Sequence, residues 1–161
     1  MKTLILMRHG KSSWEFNVND KERPLKTRGL NDASLVSKHF LINNTIPEKI
    51  FSSPAKRAHE TCKIFLKMSE KSENEVTIIE DLYDFNGSNV INFLRNLKDS
   101  INSVMIFGHN HAFTSISNIF GDNYIDNLPT SGLVKIIFDT NSWRAIEKGK
   151  TELIIIPKEL R

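Results

Sequence analysis

The chain is predicted to fold as an α/β three-layer sandwich, a mostly parallel central sheet of about six strands with helices on both faces. Three observations predict it. The apolar runs Thr3 to Met7 and Ser103 to Phe107 are continuous rather than alternating, as in strands buried on both faces. Segments with helical spacing separate the strand-like ones, so the order reads β-α-β-α-β-α-β-α-β-β. Polar and charged residues gather directly after four of these strands, where open α/β sheets hold their ligands.

The first strand stops at Arg8-His9-Gly10, the glycine permitting a turn. Lys11 to Arg23 is a polar loop whose Trp14 and Phe16 either shield a site or make a minor core. Pro24 disfavours helix in the residue before it, and a helix follows from about Thr27 to Asn43. Leu30, Ala33, Val36, Phe40 and Leu41 share its inner side. Ile50-Phe51 is a short strand. Pro54, which lacks a donor that the first turn would leave unpaired, begins a second helix with Ala58, Cys62, Phe65 and Leu66 inward. That helix dissolves in the charged run Glu70 to Glu75. Val76 to Ile79 is a third buried strand. After the turn at Asn86-Gly87-Ser88 comes a third helix, with Val90, Phe93, Leu94 and Leu97 inward. Ser103 to Phe107 is the fourth strand, and a short helix carries Phe113, Ile116 and Phe120. Leu133 to Phe138 and Leu153 to Ile156 complete the sheet, joined through Trp143.

A length of 161 residues suits one domain, read as 1–161, that buries a core without staples. With 39% hydrophobic and 25% charged residues, disorder is excluded. The single cysteine, Cys62, excludes an intramolecular disulfide and fits a reducing compartment. No signal-peptide pattern opens the chain, and no segment approaches the ~20 apolar residues of a membrane span, so a cytoplasmic protein is expected. The net charge of +3 allows an acidic partner. The basic residues are nevertheless scattered, without the tail or aromatic-interleaved patch of a nucleic-acid binder. Nothing requires more than a monomer.

Arg8-His9, Ser53 to Arg57, Glu80-Asp81 and Gly108-His109 each follow a strand at its carboxyl end. In a parallel sheet those ends share one edge, so the residues converge. Two histidines, two arginines and at least one carboxylate suit phosphoryl transfer. Arginine forks bind the phosphoryl oxygens, and transfer is driven by positioning and electrostatics. His9 is read as the nucleophile, kept neutral by Arg8 and Arg57, with desolvation acting in the same direction. His109 would be a further donor to the phosphoryl oxygens.

On these residues the chain resembles the histidine phosphatase (phosphoglycerate mutase-like) superfamily, and within it the small SixA-type phosphohistidine phosphatases. The resemblance is carried by Arg8-His9-Gly10-Lys11-Ser12-Ser13-Trp14, by Arg23-Pro24-Leu25 with Gly29, and by Ser53-Pro54-Ala55-Lys56-Arg57-Ala58 with Thr61. Glu80-Asp81-Leu82-Tyr83, Gly108-His109-Asn110, Leu128-Pro129-Thr130 and Ser142-Trp143 follow in order. The resemblance implies a phosphoglycerate mutase-like fold, a phosphohistidine intermediate on His9 and a phosphate pocket of Arg8, Arg57 and His109. Arg23 would be a further pocket contact or a brace for the first helix. Glu80 or Asp81 would be the acid, or simply solvated charge. Lys11 and Asn110 border the site, Asn110 as a substrate contact or only a shaper.

No cofactor or metal is expected. His59 and Cys62 share a helix face but lack further ligands, and Cys62 reads as core. His39 is expected on a helix surface, His111 at the rim, and both tryptophans in packing. The expected reaction is removal of phosphate from phosphohistidine on a signalling protein, since short connections leave little chain for a lid. A small phosphate ester as substrate is the alternative, and a phosphate-binding module without turnover the lesser one; inorganic phosphate is the product of either reaction.

Overall fold

The computed structural model describes residues 1–161. Its strands are β1 (Lys2–Arg8), β2 (Lys49–Ser52), β3 (Val76–Ile78), β4 (Ser103–Gly108), β5 (Leu133–Phe138) and β6 (Lys150–Ile155). Its helices are α1 (Thr27–Asn43), α2 (Lys56–Met68), α3 (Ser88–Arg95) and α4 (Ala112–Phe120). The strands form one sheet in the order β3-β2-β4-β1-β5-β6. β1 to β4 pair in parallel, while β5 runs antiparallel to both β1 and β6.

Strand alternation divides the core in two. Leu4, Leu6, Val104 and Ile106 face one side, packed against Val90 and Leu94 of α3 and Phe113, Ile116 and Phe120 of α4. Ile5, Met7, Met105 and Phe107 face the other, against Val36 and Phe40 of α1 and Cys62, Phe65 and Leu66 of α2. Both faces of the central strands are thereby covered, which explains their unbroken apolar runs.

Several expectations are corrected. Leu30 is 44% exposed rather than inward, because it lies at the margin of the α1 stripe. β3 is not buried: it pairs only with β2 at the sheet edge, and Ile78 is exposed. α2 starts at Lys56, two residues past Pro54, with Ala55 accepting the first turn's bonds from Ala58 and His59. Trp14 and Phe16 are exposed and form no minor core. β6 begins three residues earlier than read, and its register with β5 shifts between Lys135 and Ile136.

Parallel pairing sets β1 and β4 side by side with Arg8 opposite Gly108. The ladder continues one step further, as His9 N–H donates to Gly108 O and Ser53 N–H to Phe107 O, both at 3.0 Å. His9, Ser53 and His109 therefore leave three adjacent strands at one edge. Gly10 serves there through close approach: an added Cβ would stand 2.9 Å from Gly29 O, and its φ is not positive.

Candidate active site

His9 is buried, and its Nδ1 lies 2.7 Å from Gly10 O. A carbonyl only accepts, so Nδ1 carries the proton and Nε2 keeps its lone pair. Arg57 Nε donates toward that Nε2 at 3.4 Å. The loop is fixed from below, as Gly10 N–H donates to Thr61 Oγ1 and the Thr61 hydroxyl to Arg57 O. Burial above all, followed by the positive charges of Arg57, Arg8 and Arg23, pushes His9 down to about 3, although the bond to Gly10 opposes this. Desolvation thus outweighs the arginines, an apportionment that residue types alone could not make.

The His109 ring centroid lies 5.4 Å from that of His9. His109 is fully buried and likewise held at about 3, first by burial and then by His9 and Arg57. Ser53 Oγ is 2.8 Å from His109 Nε2 and accepts from Ala55 N–H. The serine oxygen keeps a second lone pair, so the contact forms with either ring tautomer: the hydroxyl donates to Nε2, or Nε2–H donates to it. His109 Nδ1 is buried and has no partner in the protein. Arg8 donates through Nη1 to Leu128 O at 2.7 Å, while its buried Nε also lacks a partner. An unmet buried polar atom costs about 1–3 kcal/mol, and the unpaired Arg8 Nε–H is a donor available to an external acceptor.

Arg57 and Arg23 converge on one carboxylate. Asp20 accepts from Arg57 Nη2 at 2.9 Å through Oδ2 and from Arg23 Nη1 at 3.1 Å through Oδ1, and its backbone carbonyl takes Arg57 Nη1 at 2.6 Å. The Tyr83 hydroxyl donates to the same Oδ2. Burial works against ionisation of Asp20, but these hydrogen bonds and the Arg57 charge hold its carboxyl well below the usual carboxylate range. Arg23 also donates to Ser13 O and Ser12 Oγ. It belongs to this network rather than to the start of α1, whose N-cap is Lys26.

A cleft of about 310 Å³ is lined by Arg8, His9, Arg23, Arg57, Trp14 and Phe85 among others, while the fully buried His109 is not among its lining residues. Lys11 and Asn110 border it. The Asn110 side chain is already engaged, its Oδ1 accepting from Thr114 N–H and Oγ1 and its Nδ2 donating to Asn127. Glu80 and Asp81 are not brought to the histidines. Both are exposed, Glu80 pairs with Lys21 at 3.3 Å, and neither lines the cleft. His39 and His111 are exposed, and Trp143 is buried in the core. Cys62 is buried, its thiol pushed up to about 12 by burial, and no three His, Cys, Asp or Glu side chains group to hold a metal ion.

Asp20 and Phe85 were not singled out from sequence, and Ser53 was placed at the site only as the start of the Ser53 to Arg57 segment, without a role of its own. A signal for Asp20 existed: converging guanidiniums need a counter-charge, and the β1–α1 loop offers only Glu15, Asp20 and Glu22 as carboxylates.

A neutral imidazole whose Nε2 lone pair faces Arg57, beside further arginines at the carboxyl edge of a mostly parallel sheet, suits an enzyme that handles the phosphoryl group. The family model of the histidine phosphatase superfamily (branch 1) matches residues 4–92, and the chain belongs to that superfamily. It is a hydrolase of the phosphatase class. An uncharacterized protein of Mycobacterium leprae is 26% identical over 161 residues, covering 92% of this chain and 96% of that one. The protein histidine phosphatase SixA complexed with tungstate superposes with a TM-score of 0.84 at 18% identity, over 99% of both chains. The phosphoserine phosphatase of Entamoeba histolytica in complex with 3-phosphoglyceric acid superposes with a TM-score of 0.67 at 17% identity, over 100% of both chains. The phosphoglycerate mutase-like fold is thereby established.

Proposed function

We propose that the protein removes the phosphoryl group from phosphohistidine on another protein, through a transient phosphohistidine on His9. His9 Nε2 attacks phosphorus while the P–N bond breaks in a substrate ring protonated on its other nitrogen, so the bond's electron pair leaves with a neutral imidazole. Water then attacks the phosphorus on His9, releasing inorganic phosphate and restoring the neutral ring. Arg8, Arg57 and His109 surround the phosphoryl oxygens, with Arg23 beside them, supplying positive charge and donors from fixed positions.

One observation carries the choice of substrate: no carboxyl group is poised as an acid. Glu80 and Asp81 face solvent, and Asp20 is held ionised by its partners. An alkoxide leaving group needs a positioned acid, worth about 100-fold or more, whereas an imidazole departs with less help. The open cleft suits a phosphorylated side chain presented by a protein. We read residues 1–161 as one such domain, acting as a cytoplasmic monomer without a cofactor.

A panel pairing a phosphohistidine-bearing protein with several phosphate esters tests this. The expected outcome is a kcat/KM for phosphohistidine exceeding that for the esters by on the order of 100-fold. An ester turned over equally well would overturn the substrate assignment.

A further inference from the structure

We propose that Trp14 and Phe85 form an aromatic clamp at the mouth of the cleft that selects a phosphoryl group borne on a flat ring, here the imidazole of phosphohistidine. The inference rests on the reaction proposed above and names the residues that recognise its leaving group.

Both rings line the cleft that holds His9, Arg23 and Arg57. Trp14 is 76% exposed and Phe85 45% exposed, so neither is spent on the core. Each is nevertheless held by a member of the anion pocket. The Arg23 guanidinium lies 3.3 Å from the Trp14 ring centroid, and Arg23 is itself buried and fixed by Asp20, Ser12 and Ser13. Phe85 packs at 4.9 Å from His109 and edge-on at 5.1 Å to Tyr83, whose hydroxyl is anchored on Asp20. The rings are therefore tied to Arg23, Tyr83 and His109 rather than draped loosely over the cleft.

The chemistry of the pair is specific. The arginines would take the phosphoryl oxygens, and Phe85 with the Trp14 face that Arg23 leaves open would meet whatever carries the phosphorus. A planar unsaturated ring stacks or packs edge-on there, gaining roughly tenfold in affinity. A polyol or carboxylate carrier would set hydroxyls or negative charge against these rings and gain nothing comparable. Arg23 couples the two halves, since one guanidinium both orders the Trp14 ring and faces the anion pocket.

Phenylphosphonate and methylphosphonate share the anion and differ in the ring, so their affinity ratio reads the clamp without turnover. Wild-type protein should prefer phenylphosphonate by roughly tenfold. The ratio should fall toward one in Trp14→Ala and Phe85→Ala, and Trp14→Phe should restore most of it. A wild-type ratio near one, or a ratio unmoved in both alanine variants, overturns the clamp. A parallel assay of phosphohistidine hydrolysis separates the two ideas. A preserved phenylphosphonate preference without phosphohistidine turnover refutes the reaction and supports the clamp. Turnover with no ring preference does the reverse.

Discussion

The Asp20 carboxylate and the Arg57 guanidinium meet at 2.9 Å, and the same guanidinium presents its Nε to the His9 lone pair. Asp20 thus sets the orientation of the cation nearest the candidate nucleophile and offsets part of its charge. Asp20→Asn keeps an acceptor for Arg57 but removes the charge. Near a half-exposed site, one unit of charge a few ångströms away changes anion binding by on the order of 1 kcal/mol. Inorganic phosphate should therefore inhibit this variant several-fold more tightly. An unchanged or weakened inhibition constant would show that the carboxylate only positions Arg57.

His9→Ala should abolish turnover and the acid-labile phosphoenzyme while still binding vanadate through Arg8, Arg57 and His109. Arg57→Ala should instead weaken vanadate binding and lower the rate together, because its guanidinium lines the cleft and also donates toward His9 Nε2. Residual phosphoenzyme in the His9 variant, or wild-type vanadate affinity in the Arg57 variant, would contradict these roles.

The meeting of His9 and His109 was legible in the sequence for a simple reason. Each stands directly after an unbroken apolar run, and parallel pairing of two such strands puts their carboxyl ends together. Periodicity also identified α1 and α2, but it could not decide the margin of a stripe, where Leu30 turns to solvent. The reversed direction of β5 and the edge position of β3 follow from pairing partners, which no local pattern encodes. Asp20 escaped for a related reason. It lies in the loop between β1 and α1, whose residues have no period, and only the assembled arginines give it meaning.

Folding should weaken as the medium turns acidic. His9 and His109 are held at about 3 in the folded protein, chiefly by burial, against an ordinary value of 6.5. Between those values the unfolded chain binds protons that the folded one excludes, so stability is intact above pH 6.5 and drains as pH falls toward 3. Asp20 adds to the loss at lower pH, because its folded carboxyl ionises more readily than an unfolded one. Urea unfolding in phosphate-free buffer should lose on the order of a few kcal/mol between pH 7 and pH 4.5. A flat profile would mean that the imidazoles protonate within the folded state.

Glu80→Gln and Asp81→Asn should leave phosphohistidine hydrolysis within about twofold of wild type, because a proton donor must come within about 3.2 Å of the atom it serves. The Glu80 side chain is 75% exposed and engaged with Lys21, an exposed ion pair worth under about 1 kcal/mol to stability. Unfolding midpoints should accordingly move little in either variant. Esters provide the contrast. If a bound alkyl phosphate draws Glu80 or Asp81 inward, ester turnover alone falls, by about 100-fold or more, while phosphohistidine turnover holds. A comparable fall on both substrates would assign that carboxyl a proton-transfer role in the shared step and remove the physical ground for preferring an imidazole leaving group.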